Sequence, residues 1–412
     1  MPLFRQRGPR PPSELRAGSR GIVTCTAPHL ASSTVKMAQA VRAAGCALPG
    51  EAWHVDELSP AQQALVGEVL TVRSLADELG DVLRNDRAEW VLLRGYACKP
   101  LAVAASAFEQ VLLLDHDVTP YINLARLFET MQFIKTGTLL FRDRTQLRLF
   151  DFDKALRMQS SARALVARFG GNDEGAPTLL PPPVPPPGLC ADPIYVGASV
   201  HALDSSVLLV DKRRARPFVD ELYRLHELAR HELYATFHGD KDVFSLACHL
   251  ASWRVLQRPA NSSFKHCGVS PIAAGEFGVL DDRGCVRGNL VQFLPDNPGV
   301  VVHCNCKPKS ANYTHVSAAV RWKDVAASSA YRERAEGTDC AWLSGGWPGV
   351  ADTPPKRIAS SKCVWSDTKQ CSHPEVMAPV ALSWAQADRG KASVALGNKL
   401  RGRIPEVASP TT

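Results

Sequence analysis

The stretch "VLLLDHDVTP", residues 111–120, decides how this chain reads. Four apolar residues, Val111 to Leu114, run straight into Asp115-His116-Asp117 and then a Thr-Pro turn. A short apolar run closed by turn residues reads as a strand buried on both faces, the pattern of a central strand in an α/β sheet. Ligands of such sheets bind beyond the carboxyl ends of the strands. Residues two apart on an extended backbone point to the same side, so Asp115 and Asp117 can face one site. Two close carboxylates repel unless a cation neutralises them. A divalent cation with oxygen ligands would do so, and would also bridge to a diphosphate. An isolated Asp-x-Asp is more often a solvated strand-end turn; the apolar run ahead of it is what favours a site.

Working outward, strands and helices alternate. "RGIVTC" reads as a strand, "ASSTVKMAQAVRAAG" as a helix with a Gly stop, and "EAWHVDELS" as a second strand and turn. "PAQQALVGEVL" and "LADELGDVLR" are helical, and "KPLAVAASAF" is a helix leading into "VLLLD". "INLARLFET" is a short helix and "TGTLLF" a strand. The alternation predicts an α/β sandwich with a mostly parallel sheet. Over 151–200 an amphipathic helix precedes "PTLLPPPVPPPGL", a stiff polyproline-like surface insertion. The sheet resumes at "SSVLLVDK". A long amphipathic helix covers about 215–235, another follows "HGDKD", and short strands sit at "NLVQFL" and "GVVVHCN". The expected organisation is a disordered leader over 1–19, one α/β domain over 20–320 containing the insertion, and an irregular extension over 321–412.

Composition narrows the class. With 412 residues and 45% hydrophobic content, the chain can bury a sizeable core. The net charge of +7 is spread out, with no Lys/Arg block of the kind that binds nucleic acid. A mild basic excess suits a small anionic substrate, although ordinary solubility explains it equally. The 12 cysteines form no CxxC knuckle, and Asn-x-Ser/Thr sequons occur at Asn261 and Asn312. Both favour a secretory lumen. Against this, "MPLFRQRGPRPPSELRAGSR" lacks the apolar core of a signal peptide, and no apolar stretch reaches about 18 residues. Either the sequence is a piece that has lost a membrane anchor, or the protein is not secretory.

Other polar residues gather around the strand ends. Asp240, Lys241 and Asp242 open a helix after Gly239, where acidic residues also complement the helix dipole. Asp204 and Ser205 precede a buried strand, and Asp211-Lys212 follow it. His303 closes a β-branched strand, placed to complete a metal's coordination, and Lys307 is placed to hold phosphate. Some motifs are rejected. The histidines of "HELARH", His226 and His231, are five apart and so lie about 140° apart on a helix, too far to share a metal. "HCNCK" has no matching second pair for zinc. Walker A, GxGxxG and GxSxG patterns are absent from the sequence.

Taken in order, "GIVTC", "WHVDEL", "GYACKPLAVAASAFEQVLLLDHDVTPYINLARLFET", "TGTLLFRDR", "DSSVLLVDKRR", "GDKDVFSLACHL" and the later "HCN" resemble the fungal-type Golgi α-mannosyltransferases, which include the α-1,3-mannosyltransferases. The resemblance covers roughly 21–310; each piece alone is weak, and the joint order is specific. It implies a GT-A glycosyltransferase fold, GDP-mannose as donor, Mn²⁺ at Asp115 and Asp117, a glycan or glycoprotein acceptor, and transfer with retention. By position, Lys99 matches a basic residue facing donor phosphate or sugar. Asp240 and Lys241 match an acidic motif near the transferred sugar and acceptor, with Asp240 the candidate for shielding an oxocarbenium-like centre. His303 matches the late metal-binding histidine of more distant retaining GT-A enzymes. The family consists of anchored Golgi enzymes, and no anchor is visible in this sequence. His116 departs from the small residue common at that place, and the Pro-rich stretch 177–188 falls where acceptor recognition is expected.

Three further readings compete. One is a UDP-hexose-dependent retaining GT-A enzyme, since "TCTAPH" and "HVDE" carry no clear base-reading code. Another is a non-catalytic glycosyltransferase-fold binding protein, which Asp115, Asp117 and Asp240 argue against. The third is an interaction protein using its PPPVPPP loop.

Overall fold

The computed structural model describes residues 9–79, 92–143, 152–169, 192–195, 199, 201–237, 239–257, 264–273, 277–280, 286–306 and 318–321. In chain order the strands and helices of the first part are β1 (Arg16–Cys25), α1 (Ala31–Ala43), β2 (Gly50–His54), α2 (Pro60–Gly67), β3 (Thr71–Ser74), α3 (Leu75–Leu79), α4 (Cys98–Ala105), β4 (Phe108–Leu114), α5 (Met131–Thr136) and β5 (Thr138–Arg142). The remainder are α6 (Phe152–Phe169), β6 (Leu203–Asp211), α7 (Arg216–Thr236), α8 (Lys241–Gln257), β7 (Val269–Ala273), β8 (Phe277–Leu280), β9 (Val286–Leu294), β10 (Asn297–Cys306) and β11 (Ala318–Arg321).

The main sheet has seven strands in the order β3-β2-β1-β4-β6-β5-β7. Its pairings are parallel except those of β6, which runs against both neighbours. The α/β class and the mostly parallel sheet expected from the sequence are therefore present. "VLLL" lies at the centre of it: Val111, Leu112, Leu113 and Leu114 are all 0% exposed. Alternate residues feed opposite faces. Val111 and Leu113 pack with α4, α6, α7 and α8, while Leu112 and Leu114 pack with α1, α5 and the Leu124–Glu129 turn. Truncating one of these leucines to Ala would cost about 2–5 kcal/mol, because the helical layer on its own face closes around it.

The reversed strand is what builds the site. In β4 and β6, Leu114 pairs with Val207 and Gln110 with Asp211, so β6 begins at the edge where β4 ends. The amide of Asp115 extends the pairing by donating to the Ser206 carbonyl at 2.8 Å. On the next strand, Arg142 of β5 pairs with Leu203. One edge thus collects Asp115, Asp204, Ser205 and Asp143 from three adjacent strands. A second, four-stranded antiparallel sheet, β10-β9-β8-β11, brings its β9–β10 hairpin against this edge. His303 and Gln292 are cross-strand partners in that hairpin, and Pro120 forms a bridge to His303.

Three differences from the sequence reading stand out. β1 starts at Arg16, inside the stretch read as a disordered leader. Arg10 donates from Nε to the Ala105 carbonyl at 2.8 Å, and Leu15 is buried, so the leader from residue 9 onward packs on the domain. β3, "TVRS", was hidden between two helical stretches because it is an edge strand with no buried residue. The second sheet did not announce itself as a separate layer in the sequence. The Pro-rich stretch 177–188, both sequons, Lys307 and the region from 322 lie outside the described residues. Among the described residues, no helix is long and apolar enough to cross a membrane.

Candidate active site

Lys99 is the centre of the arrangement. It lies in the first turn of α4, whose other residues are almost all buried and fix its direction. Its ammonium is ion-paired with Asp115 and with Asp240, the latter at 3.1 Å, and it donates to Ser205 Oγ at 3.4 Å. Burial works against the charge, but Asp115 and Asp240 outweigh it and hold the lysine well above its ordinary range. Lys99 is therefore permanently cationic.

Asp115 carries the opposite strain. Burial pushes its carboxyl up to about 6; Lys99 pulls it down, and Asp240 and Asp117 push it up as like charges. Lys99 is thus held between two carboxylates, Asp115 and Asp240, while Asp117 repels Asp115 as a like charge. Asp240 is 4% exposed and precedes α8. Its backbone carbonyl accepts the Val243 amide at 3.0 Å, leaving its side chain directed at Lys99. Gly239 makes the approach possible: its φ of +102° lies where only glycine is comfortable.

The flanking residues are held by specific partners. Asp204 accepts from Ser206 Oγ at 2.7 Å through Oδ1 and from Gln292 Nε2 at 2.9 Å through Oδ2. Lys241 is ion-paired with buried Asp143, whose amide donates to the Ala202 carbonyl at 3.1 Å. Asp242 accepts the Ala202 amide at 2.9 Å. The start of α8 is thereby fastened to the beginning of β6 and the end of β5.

His303 lies over the turn that follows Asp117. Its Nδ1 is 3.1 Å from both the amide nitrogen and the carbonyl oxygen of Thr119. The Thr119 amide donates to Nδ1, which puts the ring proton on Nε2; only the other tautomer, donating from Nδ1 to the Thr119 carbonyl, gives Nε2 the lone pair a metal needs. Among the described residues, however, no three His, Cys, Asp or Glu side chains are gathered into a metal-binding cluster. The trio expected from sequence, Asp115, Asp117 and His303, shares one edge but is not drawn together. Asp115 is engaged by Lys99 instead.

The structure thus brings together Lys99, Asp115, Ser205 and Asp240, and sets Asp117, Asp204, Lys241 and His303 around them. Sequence reading missed Asp143 and Gln292. Both had a faint signal: Asp143 follows the strand "TGTLLFR", and Gln292 is a polar residue inside the apolar strand "NLVQFL". The rejected His226 is 0% exposed, with Nδ1 2.6 Å from the Leu222 carbonyl and Nε2 2.7 Å from the Tyr234 hydroxyl. It is a satisfied core residue, and burial lowers its pKa to about 4.

Comparison with known proteins follows the same lines. A family model described as "Mannosyltransferase putative" matches residues 19–264. "Probable alpha-1,3-mannosyltransferase MNT4" of Saccharomyces cerevisiae is 27% identical over 277 residues, 61% of this chain and 44% of that protein. Alpha-1,3-mannosyltransferase MNT2 of the same yeast is 25% identical over 276 residues, 64% of this chain and 48% of that protein. The chain spans about half the length of these relatives. Among solved structures, the mannosyltransferase Ktr4p from S. cerevisiae is similar at 12% identity and a TM-score of 0.36, over 60% of this chain and 72% of that one. The family match runs from β1 through α8 and takes in Lys99, Asp115, Asp117, Asp204, Ser205, Asp240 and Lys241. The chain belongs to this mannosyltransferase family.

Proposed function

We propose that this chain transfers mannose from GDP-mannose to a hydroxyl of a glycan acceptor, with retention of configuration and with a divalent cation, Mn²⁺, at the carboxylate edge. The observation that carries this reading is Lys99 in contact with both Asp115 and Asp240. It joins a strand-end carboxylate suited to a cation with a carboxylate at a helix start suited to a sugar.

Two like-charged carboxylates at one edge, Asp115 and Asp117, fit a divalent cation. Asp115 and Asp117 would hold it; His303 shares their edge without being gathered with them, and would add a ligand only in the tautomer with its proton on Nδ1. Bound there, the cation would neutralise charge developing on the departing diphosphate. The chain's own residues do the rest. Lys99 supplies a fixed positive charge to the leaving group without needing to give up a proton. Ser205 and Asp204 stand at the start of β6, with Gln292 fixing the Asp204 carboxylate toward donor hydroxyls. Asp240 faces the positive charge that develops on the sugar. Lys241, oriented by Asp143, stands beside it on the acceptor side.

The catalytic unit, expected over 20–320, is read as 9–321, with 322–412 as an extension. A Golgi or other secretory-pathway lumen is the location this reading favours. The test is a donor screen with the purified full chain and Mn²⁺ across GDP- and UDP-sugars. GDP release from GDP-mannose alone is expected. Turnover of a UDP-hexose but not GDP-mannose would replace the donor assignment, and turnover of none would leave a binding protein.

A further inference from the structure

Outside the carboxylate cluster, four of the five cysteines whose side chains are described meet in two pairs, none of them joined. Cys25 ends β1 and is the in-register partner of Trp53 on β2. Cys98 opens α4, and its Sγ lies 3.9 Å from the Trp53 carbonyl oxygen. The amide of Thr26, next to Cys25, donates to that same oxygen at 2.9 Å. The two thiols converge beside Trp53 and interact directly. The second pair lies across the sheet: Cys248 of α8 touches both the thiol and the backbone N–H of Cys267, just before β7. Cys46 belongs to the core on the opposite face of the sheet.

We propose that Cys25–Cys98 and Cys248–Cys267 are disulfide bonds of the protein in an oxidising compartment. The oxidant is a small-molecule disulfide such as oxidised glutathione. One protein thiolate attacks its sulfur, forming a mixed disulfide and releasing one glutathione thiolate. The facing protein thiol, on losing its proton, attacks the mixed disulfide and releases the second. Two protein thiols thus lose two electrons and two protons, and the oxidant becomes two thiols. Each pair has an entry point. Cys25 is the half-buried member of its pair and so the one a small disulfide reaches, while burial and Cys98 push its thiol well above its usual value and slow the attack. Burial raises the Cys248 thiol, but Cys267 and His249 outweigh it and bring it below its usual value, which favours the thiolate.

The placement gives the bonds a purpose. Cys98 immediately precedes Lys99, so the first bond ties the turn carrying the ammonium to the end of β1. Cys248 lies on the helix that follows Asp240, so the second bond ties that helix to the segment entering β7. The two helices that present Lys99 and Asp240 to one another are each stapled to the sheet. The pairing does not depend on which donor is used.

The test uses the full chain produced through an oxidising secretory compartment, alkylated in denaturant without reductant, digested and mapped by mass spectrometry. One linked peptide pair holding Cys25 and Cys98 and another holding Cys248 and Cys267 are expected, both vanishing after phosphine reduction. Recovery of either pair alkylated, or joined to any other cysteine, overturns the assignment. Phosphine should also lower the melting temperature of the wild type by roughly 5–10 °C. That shift should shrink in the C25S/C98S and C248S/C267S double variants; no shift in the wild type would equally overturn it.

Discussion

Lys99 Nζ lies 3.2 Å from Oδ1 and 3.1 Å from Oδ2 of Asp240, taking that carboxylate by both oxygens while also contacting Asp115. Lys99 lies in the first turn of α4 and Asp240 just before α8, with β4, β5 and β6 between them in sequence. Their contact makes the leaving-group cation and the sugar-facing anion a single unit. Lys99→Met should therefore lower kcat/KM for transfer by about 10²–10³-fold, the scale for losing one fixed charge in a water-poor site. Lys99→Arg should rescue little, because a planar guanidinium cannot occupy the same point between two carboxylates. GDP release measures both. Near-wild-type activity of Lys99→Met would remove Lys99 from the chemistry.

A cation at the carboxylate edge makes a separate prediction. Chelation should abolish transfer, and added Mn²⁺ should restore it. Binding of Mn²⁺ alone, followed as loss of the free-ion EPR signal, should disappear in Asp115→Asn and in Asp117→Asn. It should weaken but persist in His303→Gln, since the carboxylates carry most of the attraction for a hard cation. Unchanged binding in both Asp variants would move the cation elsewhere.

Gln292 is 0% exposed and gives its amide to Asp204 Oδ2. Gln292→Leu keeps the apolar packing of β9 but leaves that buried oxygen without its donor. A loss of about 1–3 kcal/mol in urea unfolding is expected. Transfer should fall as well, through a raised KM for the donor rather than a lowered kcat. A variant of wild-type stability would mean that another group takes over the oxygen.

These residues show why some of the site was legible and some was not. Asp115 and Asp117 were readable because an apolar run such as "VLLL" closed by turn residues favours a central strand, and ligands of such sheets bind beyond the carboxyl ends of the strands. Lys99 and Asp240 were readable by resemblance and by position at helix starts. Their contact was not, since 141 positions separate them and no local pattern encodes the distance. Asp143 and Gln292 were passed over for a different reason. Each is a single polar residue on or just after an apolar strand, and periodicity cannot say whether such a residue meets solvent or a buried charge. The antiparallel course of β6, which brings Asp204 to the same edge as Asp115, depends on pairing rather than on any local signal.

A last prediction concerns a charge far from the site. Lys212 follows β6, is 2% exposed, and donates its ammonium to the Ser106 carbonyl. Burial, aided by Arg10 and Arg216 and opposed by Glu51, lowers its pKa from 10.5 to about 7. Between those values the unfolded chain holds a proton that the folded protein has released. Unfolding then takes up a proton, so this group's contribution to stability rises as pH increases from about 7 toward 10.5, and its penalty is full below about 7. Lys212→Met removes the buried charge and keeps much of the volume. It should raise unfolding stability at pH 7 by roughly 1–4 kcal/mol, with the gain shrinking as the pH approaches 10. Urea midpoints at both pH values measure the difference. Transfer activity should stay at the wild-type level, because Lys212 sits at the opposite edge of the sheet from Lys99. A variant less stable than wild type at pH 7 would mean that the hydrogen bond to Ser106 outweighs the cost of burying the ammonium.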